Sequence, residues 1–191
     1  MNPLDEPMTY IDPSSVSPRP VAMRYGLIWG LIGIMVGLLA HILGWSDPSD
    51  PNTTMTILIS VISLGISVTM IVLAVKTHRD QELGGYMTFG RGFTTGILTT
   101  LFNAVIATIW MVIFFSLINP DMFDMIEQGM LRQWEEQGMS EEQIEQAKGF
   151  ATMFTGPTFM TIATFLGTLF WGAIISLIVS AVMKKDAPRM A

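Results

Sequence analysis

A chain of 191 residues in which 50% are hydrophobic and only 14% charged, with a mean hydropathy of +0.50, falls well short of the roughly 25% charge of soluble domains. Its formal charge of −6, from ten Lys and Arg against sixteen Asp and Glu, argues against nucleic acid as a partner. The absence of cysteine excludes disulfide frameworks, thiolate metal sites, iron–sulfur clusters and cysteine nucleophiles.

Residues 1–20 hold five of the ten prolines, Pro3, Pro7, Pro13, Pro18 and Pro20, and read as a disordered tail. Four apolar stretches follow at about 25–45, 55–75, 93–118 and 158–183, none containing Asp, Glu, Lys or Arg. A hydrocarbon core of about 30 Å takes roughly 20 helical residues to cross, and backbone groups in lipid must be satisfied within the segment. The expected fold is an all-α, four-span transmembrane domain over residues 21–185, with a short tail at 186–191. The first stretch is longer than the 7–15 apolar residues of a cleaved signal peptide, and Leu38-Leu39-Ala40 places a bulky residue where cleavage needs a small one, so it reads as a retained anchor.

Basic residues near span ends set orientation. Arg19 and Arg24 precede the first span, Lys76, Arg79 and Arg91 separate the second from the third, and Lys184, Lys185 and Arg189 follow the fourth. Eight of the ten thus lie on one side, which places both termini in the cytoplasm, and a plasma membrane is the expected location.

Each span carries a small or weakly polar stripe. In the first, Gly26, Gly30, Gly33, Gly37, Ala40 and Gly44 recur at steps of four and three, a face on which another helix can approach closely. Its partner is either within the chain or in a second copy. The second has Thr56, Ser60, Ser63, Ser67 and Ala74; the third Gly92, Gly96, Thr100, Asn103 and Ala107; the fourth Thr164, Thr168, Gly172, Ser176 and Ser180. Such stripes suit a compact bundle, and equally a narrow pore lined by Ser60, Ser63, Ser67, Asn103, Thr164 and Thr168. Asn103 is the one strongly polar side chain near mid-membrane and is expected to face the bundle interior. His41 lies within a turn of its span's outer end, where solvent reaches it, and His78 on the opposite side cannot join it in one site.

The connection from Lys76 to Gly92 contains Gly90-x-Gly92-xxx-Gly96, which superficially matches a dinucleotide loop but opens a membrane helix instead of following a strand. Tyr86, Phe89 and Phe93 share a helical face beside Arg91, whose guanidinium is expected in the phosphate layer. The loop at 119–156 reads as two short helices in an acidic outer hairpin. Asn119 is the expected N-cap of the first, with Pro120 at its first position and Gly138 at its end; Ser140 with Gln143 forms a capping box for the second. Phe123, Ile126, Met130 and Trp134 form an apolar face on the first helix, expected to dock on the protein's own bundle or on a partner. Eight acids against Arg132 and Lys148 make this loop acidic; the acids read as a solvated face, and the methionines as apolar packing residues, so no metal is expected.

The pattern Tyr86-Met87-Thr88-Phe89-x-x-Gly92-Phe93-x-x-Gly96, the start Pro120-Asp121-x-Phe123 of the helical insertion, the segment Gly138-Met139-Ser140-Glu141-Glu142-Gln143-Ile144-Glu145 and the closing Lys184-Lys185 together resemble an uncharacterised bacterial integral-membrane family, domain of unknown function 4199. The resemblance runs over residues 24–185 and implies a four-span bacterial membrane protein, with no activity, substrate or catalytic residue to carry over.

No catalytic pair, metal-ligand motif or cofactor fingerprint stands in the sequence. The expected function is a non-enzymatic accessory or scaffold subunit without cofactor, embedded in the lipid bilayer, with an envelope protein or a second copy as partner. The alternative is a small oligomeric channel or transporter for a neutral or cationic solute.

Overall fold

The computed structural model describes residues 15–45, 47 and 52–186. These residues are helical almost throughout, in six α-helices. Four are long: α1 (Arg19–Ile42), α2 (Thr53–Thr77), α3 (Phe89–Ile113) and α6 (Pro157–Met183); α4 (Met122–Glu136) and α5 (Glu141–Thr155) lie between α3 and α6. At a rise of about 1.5 Å per residue each long helix runs at least 35 Å, and all four are apolar enough to cross a membrane.

Both α2 and α3 end in a π turn, charged after α2 and uncharged after α3. α2 continues as a π-helical turn, His78–Glu82, and α3 as another, Phe114–Ile118. α1 begins at Arg19, inside the tail expected over residues 1–20. Pro18 is buried and Val16 packs against the core, so order starts earlier than the proline content implied. The remainder of that tail, residues 1–14, lies outside the described residues, as do 187–191.

Glycine terminates two helices by the same device. Gly44 (φ 68°) follows α1 and Gly138 (φ 74°) follows α4. In each, the glycine N–H bonds three residues back, to His41 or Glu135, and the next N–H bonds five back, to Ala40 or Trp134. This Schellman pattern needs a left-handed residue, which glycine supplies without a Cβ clash. Ser140 caps α5 through a reciprocal capping box with Gln143. The other expected cap is corrected: Asn119 does not start α4, whose N-cap is Asp121. The π turn carries α3 on to Ile118, so the Asn119 N–H bonds to the Phe114 carbonyl at 2.8 Å and closes α3.

The chain divides into two compact units. The first takes the described residues of Met1–Trp29, Gly65–Asn103 and Thr168–Ala191. Its core is Ile71, Val75, Leu83, Met87, Ile175 and Val179, flanked by Val16, Trp29, Val72 and Met183. Met87 and Lys185 exchange two backbone hydrogen bonds of 2.9 Å each, an antiparallel bridge holding the end of α6 to the α2–α3 connection. The second unit takes the described residues of Gly30–Leu64 and Ala104–Gly167. Here the Phe114 ring takes the His41 ring edge-on at 5.1 Å, and Phe115 meets Phe123 at 4.8 Å, packing the start of α4 on the end of α3.

Candidate functional site

The residues expected to mediate helix packing divide into two groups. A Cβ at Gly26 would lie 2.6 Å from Phe102 Cβ and 2.7 Å from the Thr99 carbonyl oxygen, and one at Gly30 2.7 Å from Ile106 Cγ2. α1 therefore meets α3 at these two glycines, and Ala40 is buried as well. At Gly33, Gly37 and Gly44 no atom of the described residues lies within 4 Å of where a Cβ would stand.

The polar set likewise divides between the two units. Ser67 and Asn103 are buried and Thr168 half-buried in the first unit. Ser60 and Ser63 are exposed and Thr164 half-buried in the second, with the Ser60 hydroxyl donating to the Thr56 carbonyl at 2.8 Å.

The small-residue stripes of α3 and α6 meet residue by residue. A Cβ at Gly92 would press on Ser180, one at Gly96 would fall 2.5 Å from Ser176 Oγ, and one at Gly172 would run into Thr100. The antiparallel register 92/180, 96/176, 100/172 sets glycine opposite hydroxyl at each step, bringing the helices close along a polar but filled seam. Thr95, Thr99, Thr100, Ser176 and Ser180 are almost fully buried. Four of these hydroxyls donate one turn back along their own helix: Thr95 to the Arg91 carbonyl, Thr99 to Thr95, Thr100 to Gly96 and Ser180 to Ser176. Such bonds satisfy a hydroxyl that has no water to reach. Among the described residues Ser176 Oγ has no hydrogen-bond partner.

A cluster of ionisable groups occupies the first unit where α2 ends and α3 begins. His78 is wholly buried in the π turn. Its Nδ1 lies 2.5 Å from Glu82 Oε2, and its Nε2 accepts from Arg91 Nε–H at 3.0 Å. Guanidinium nitrogens only donate, so Nε2 is the bare nitrogen and Nδ1 carries the proton toward Glu82. A neutral imidazole thus links carboxylate to guanidinium. The same partner occupies the ring nitrogen that a general base would use. The connection doubles back at Gly84 (φ 64°) and Gly85 (φ 88°), two consecutive left-handed residues, which returns Arg91 to His78.

Arg91 is half-buried and bonded to His78, and among the described residues its Nη2 is buried without a partner. Tyr86 precedes α3, outside the face shared by Phe89 and Phe93, and its ring lies under Lys185 Nζ at 5.1 Å. Nearby, Arg79 pairs with Asp80 and donates from Nη1 to the Met183 carbonyl at 3.1 Å, satisfying one of the last acceptors of α6. Tyr25 Oη and Thr77 Oγ1, 2.9 Å apart, join α1 to the end of α2. The sequence signal for this cluster was the His78/Glu82 spacing of four directly after a span.

In the second unit, Lys148 Nζ reaches Glu127 at 2.7 Å, so α5 and α4 lie side by side, and that carboxylate holds the Lys148 pKa above its ordinary value. Asp121, Asp124, Glu135, Glu136, Glu141, Glu142 and Glu145 are exposed, whereas Phe123, Ile126, Met130 and Trp134 are half-buried. Among the described residues no three His, Asp or Glu side chains come together as metal ligands.

The described residues form an all-helical structure of six α-helices, four of them long and apolar enough to cross a membrane. Residues 24–185 match the family described as protein of unknown function (DUF4199), and the chain belongs to that family. No curated protein and no solved structure matched the chain.

Proposed function

We propose that this is a non-enzymatic integral membrane protein, an accessory or scaffold subunit of the bacterial plasma membrane, whose helices α4 and α5 form an acidic outer hairpin that contacts a partner. The observation that carries this reading is the use of polar groups within the spans: buried hydroxyls of α3 and α6 bond back to their own helices and pack against facing glycines. The exposed acids of α4 and α5 are the chemistry left for recognition. Chemical crosslinking in native membranes followed by purification is expected to recover a discrete adduct through α4 or α5. Recovery of the bare protein alone, with neither partner nor self-association, defeats the proposal.

The orientation in this reading follows the basic residues, eight of which border the side carrying both termini. A reporter active only in the cytoplasm is expected to work when fused at Gly84 and to be silent at Gly138; the opposite pattern inverts the topology.

A second reading, a small oligomeric channel or transporter for a neutral or cationic solute, draws on Ser60 and Ser63, which lie exposed on α2. It requires several copies around a shared lumen, since four helices alone enclose little space. Solute flux in liposomes that responds to Ser63→Leu would favour it.

A further inference from the structure

The uncharged sequence that feeds α6 begins before that helix does. Residues 149–183 contain no charged side chain, yet α6 starts only at Pro157 and with 27 residues is long enough to cross a bilayer by itself. The surplus is the last two turns of α5. All the charges of that helix, Glu141, Glu142, Glu145 and Lys148, sit in its first half. In its second half Phe150, Met153 and Phe154 follow the i, i+3, i+4 spacing of one helical face, and all three are exposed, at 67%, 70% and 44%.

That face runs directly into the surface of α6. A single residue, Gly156, separates the two helices. The Phe150 and Phe154 rings are 5.0 Å apart, and Phe154 meets Phe159 in the first turn of α6 edge-on at 5.1 Å. Phe159 and Ile162 are themselves exposed among the described residues, on a candidate membrane-spanning helix whose exposed apolar surface suits lipid. The exposed aromatic surface of α5 is therefore one end of a continuous apolar strip whose other end lies on a helix apolar enough to cross a membrane. Thr152 and Thr155 donate their hydroxyls to α5's own carbonyls, so the half-helix offers few unsatisfied donors to the layer it would occupy.

We propose that the second half of α5, residues 149–155, lies in the headgroup and upper acyl layer of the bilayer, with Phe150, Met153 and Phe154 facing phospholipid. The occupant of this face is the membrane surface itself. The helix is then embedded at one end and aqueous at the other. Its lipid-held end fixes the height and tilt at which Glu141, Glu142 and Glu145 stand above the membrane. The inference rests on α6 spanning the bilayer as proposed above, and adds that a helix outside the four spans is also a membrane contact.

The chain has no native cysteine, so single substitutions can be labelled without background. Spin labels at Glu142→Cys, Glu145→Cys, Phe150→Cys and Met153→Cys in the full-length protein, reconstituted in phosphatidylcholine and phosphatidylglycerol vesicles, report collision with oxygen, which concentrates in lipid, or with a water-soluble nickel chelate. Oxygen collisions are expected to exceed nickel collisions several-fold at 150 and 153, and the ratio to invert at 142 and 145. Nickel dominance at 150 and 153 overturns the proposal. Low collision with both reagents there also overturns it, because a protein surface then covers the face. A label at Ile162→Cys separates the two readings: lipid at 162 with water at 150 removes the insertion of α5 alone, whereas water at 162 removes the span beneath it.

Discussion

Gly172→Ala is expected to destabilise the protein, although the same exchange in an exposed helix interior stabilises by about 1 kcal/mol. The added methyl group would enter Thr100, whose own Cβ stands 2.8 Å from the position it must take. A flexible chain end could swing aside, but a Cβ atom moves only with its helix. α3 and α6 must therefore separate, which also loosens the contacts of Gly96 with Ser176 and Gly92 with Ser180. Overpacking of this kind costs about 1–3 kcal/mol, and Gly96→Ala, 2.5 Å from Ser176 Oγ, belongs in the same range. Gly33→Ala and Gly37→Ala meet open space and are expected to be neutral or slightly stabilising. Unfolding midpoints of the purified protein in detergent, followed by tryptophan fluorescence, check the difference in sign. Thr100→Ala combined with Gly172→Ala should recover part of the loss, a non-additivity diagnostic of direct contact. Equal shifts for all four glycines would show that the register of α3 against α6 is wrong.

The second large effect is expected at His78. His78→Phe fills similar volume but removes both ring nitrogens, leaving the Arg91 Nε donor and the Glu82 carboxylate without their shared partner. Among the described residues Arg91 already holds one buried donor without a partner at Nη2, so the substitution strands a second on the same guanidinium. Loss of one partner from a hydrogen bond to a charged group costs about 1.5–3 kcal/mol. The lower half of that range applies, because Glu82 retains 29% exposure and water can reach it. Glu82→Gln, which keeps an oxygen to accept from Nδ1–H, should lose markedly less. Chemical denaturation of the two variants side by side gives the comparison. Nitrogen-15 spectra of the labelled imidazole provide an independent check, with the proton expected on Nδ1 and a bare Nε2; the opposite tautomer would mean that Arg91 does not donate to this ring.

The four long apolar helices and the α3–α6 contact were legible because the requirements of a membrane-crossing helix are strict. A span needs length and freedom from charge, and close helix packing needs small residues at a fixed step. The stripes of α3 and α6 consequently marked the faces that meet. The α1 stripe was equally regular, but small residues show only that a helix can be approached: Gly26 and Gly30 have their partner on α3, whereas Gly33, Gly37 and Gly44 have none within the described residues. Ser60 and Ser63 followed the register of Ser67 and yet lie exposed. The His78 cluster escaped notice for a different reason. Charge beyond a span end is ordinarily solvated, and only the reversal at Gly84 and Gly85 brings Arg91 back onto the turn it had left. The α4 start was missed because a local cap signal at Asn119 gave way to the π turn that extends α3.

The hydrogen-bonded bridge between Met87 and Lys185 has a consequence for the order of biosynthesis. Its two sides are separated by the whole of α3, α4, α5 and α6, and the core beside it draws Ile175 and Val179 from α6 onto Ile71 and Val75 from α2. A ribosome delivers α1, α2 and α3 long before α6, so none of these contacts can form until α6 has been made. Until then Gly92, Gly96 and Thr100 lack the α6 residues they pack against, and the late arrival of α6 is the event that seals the unit.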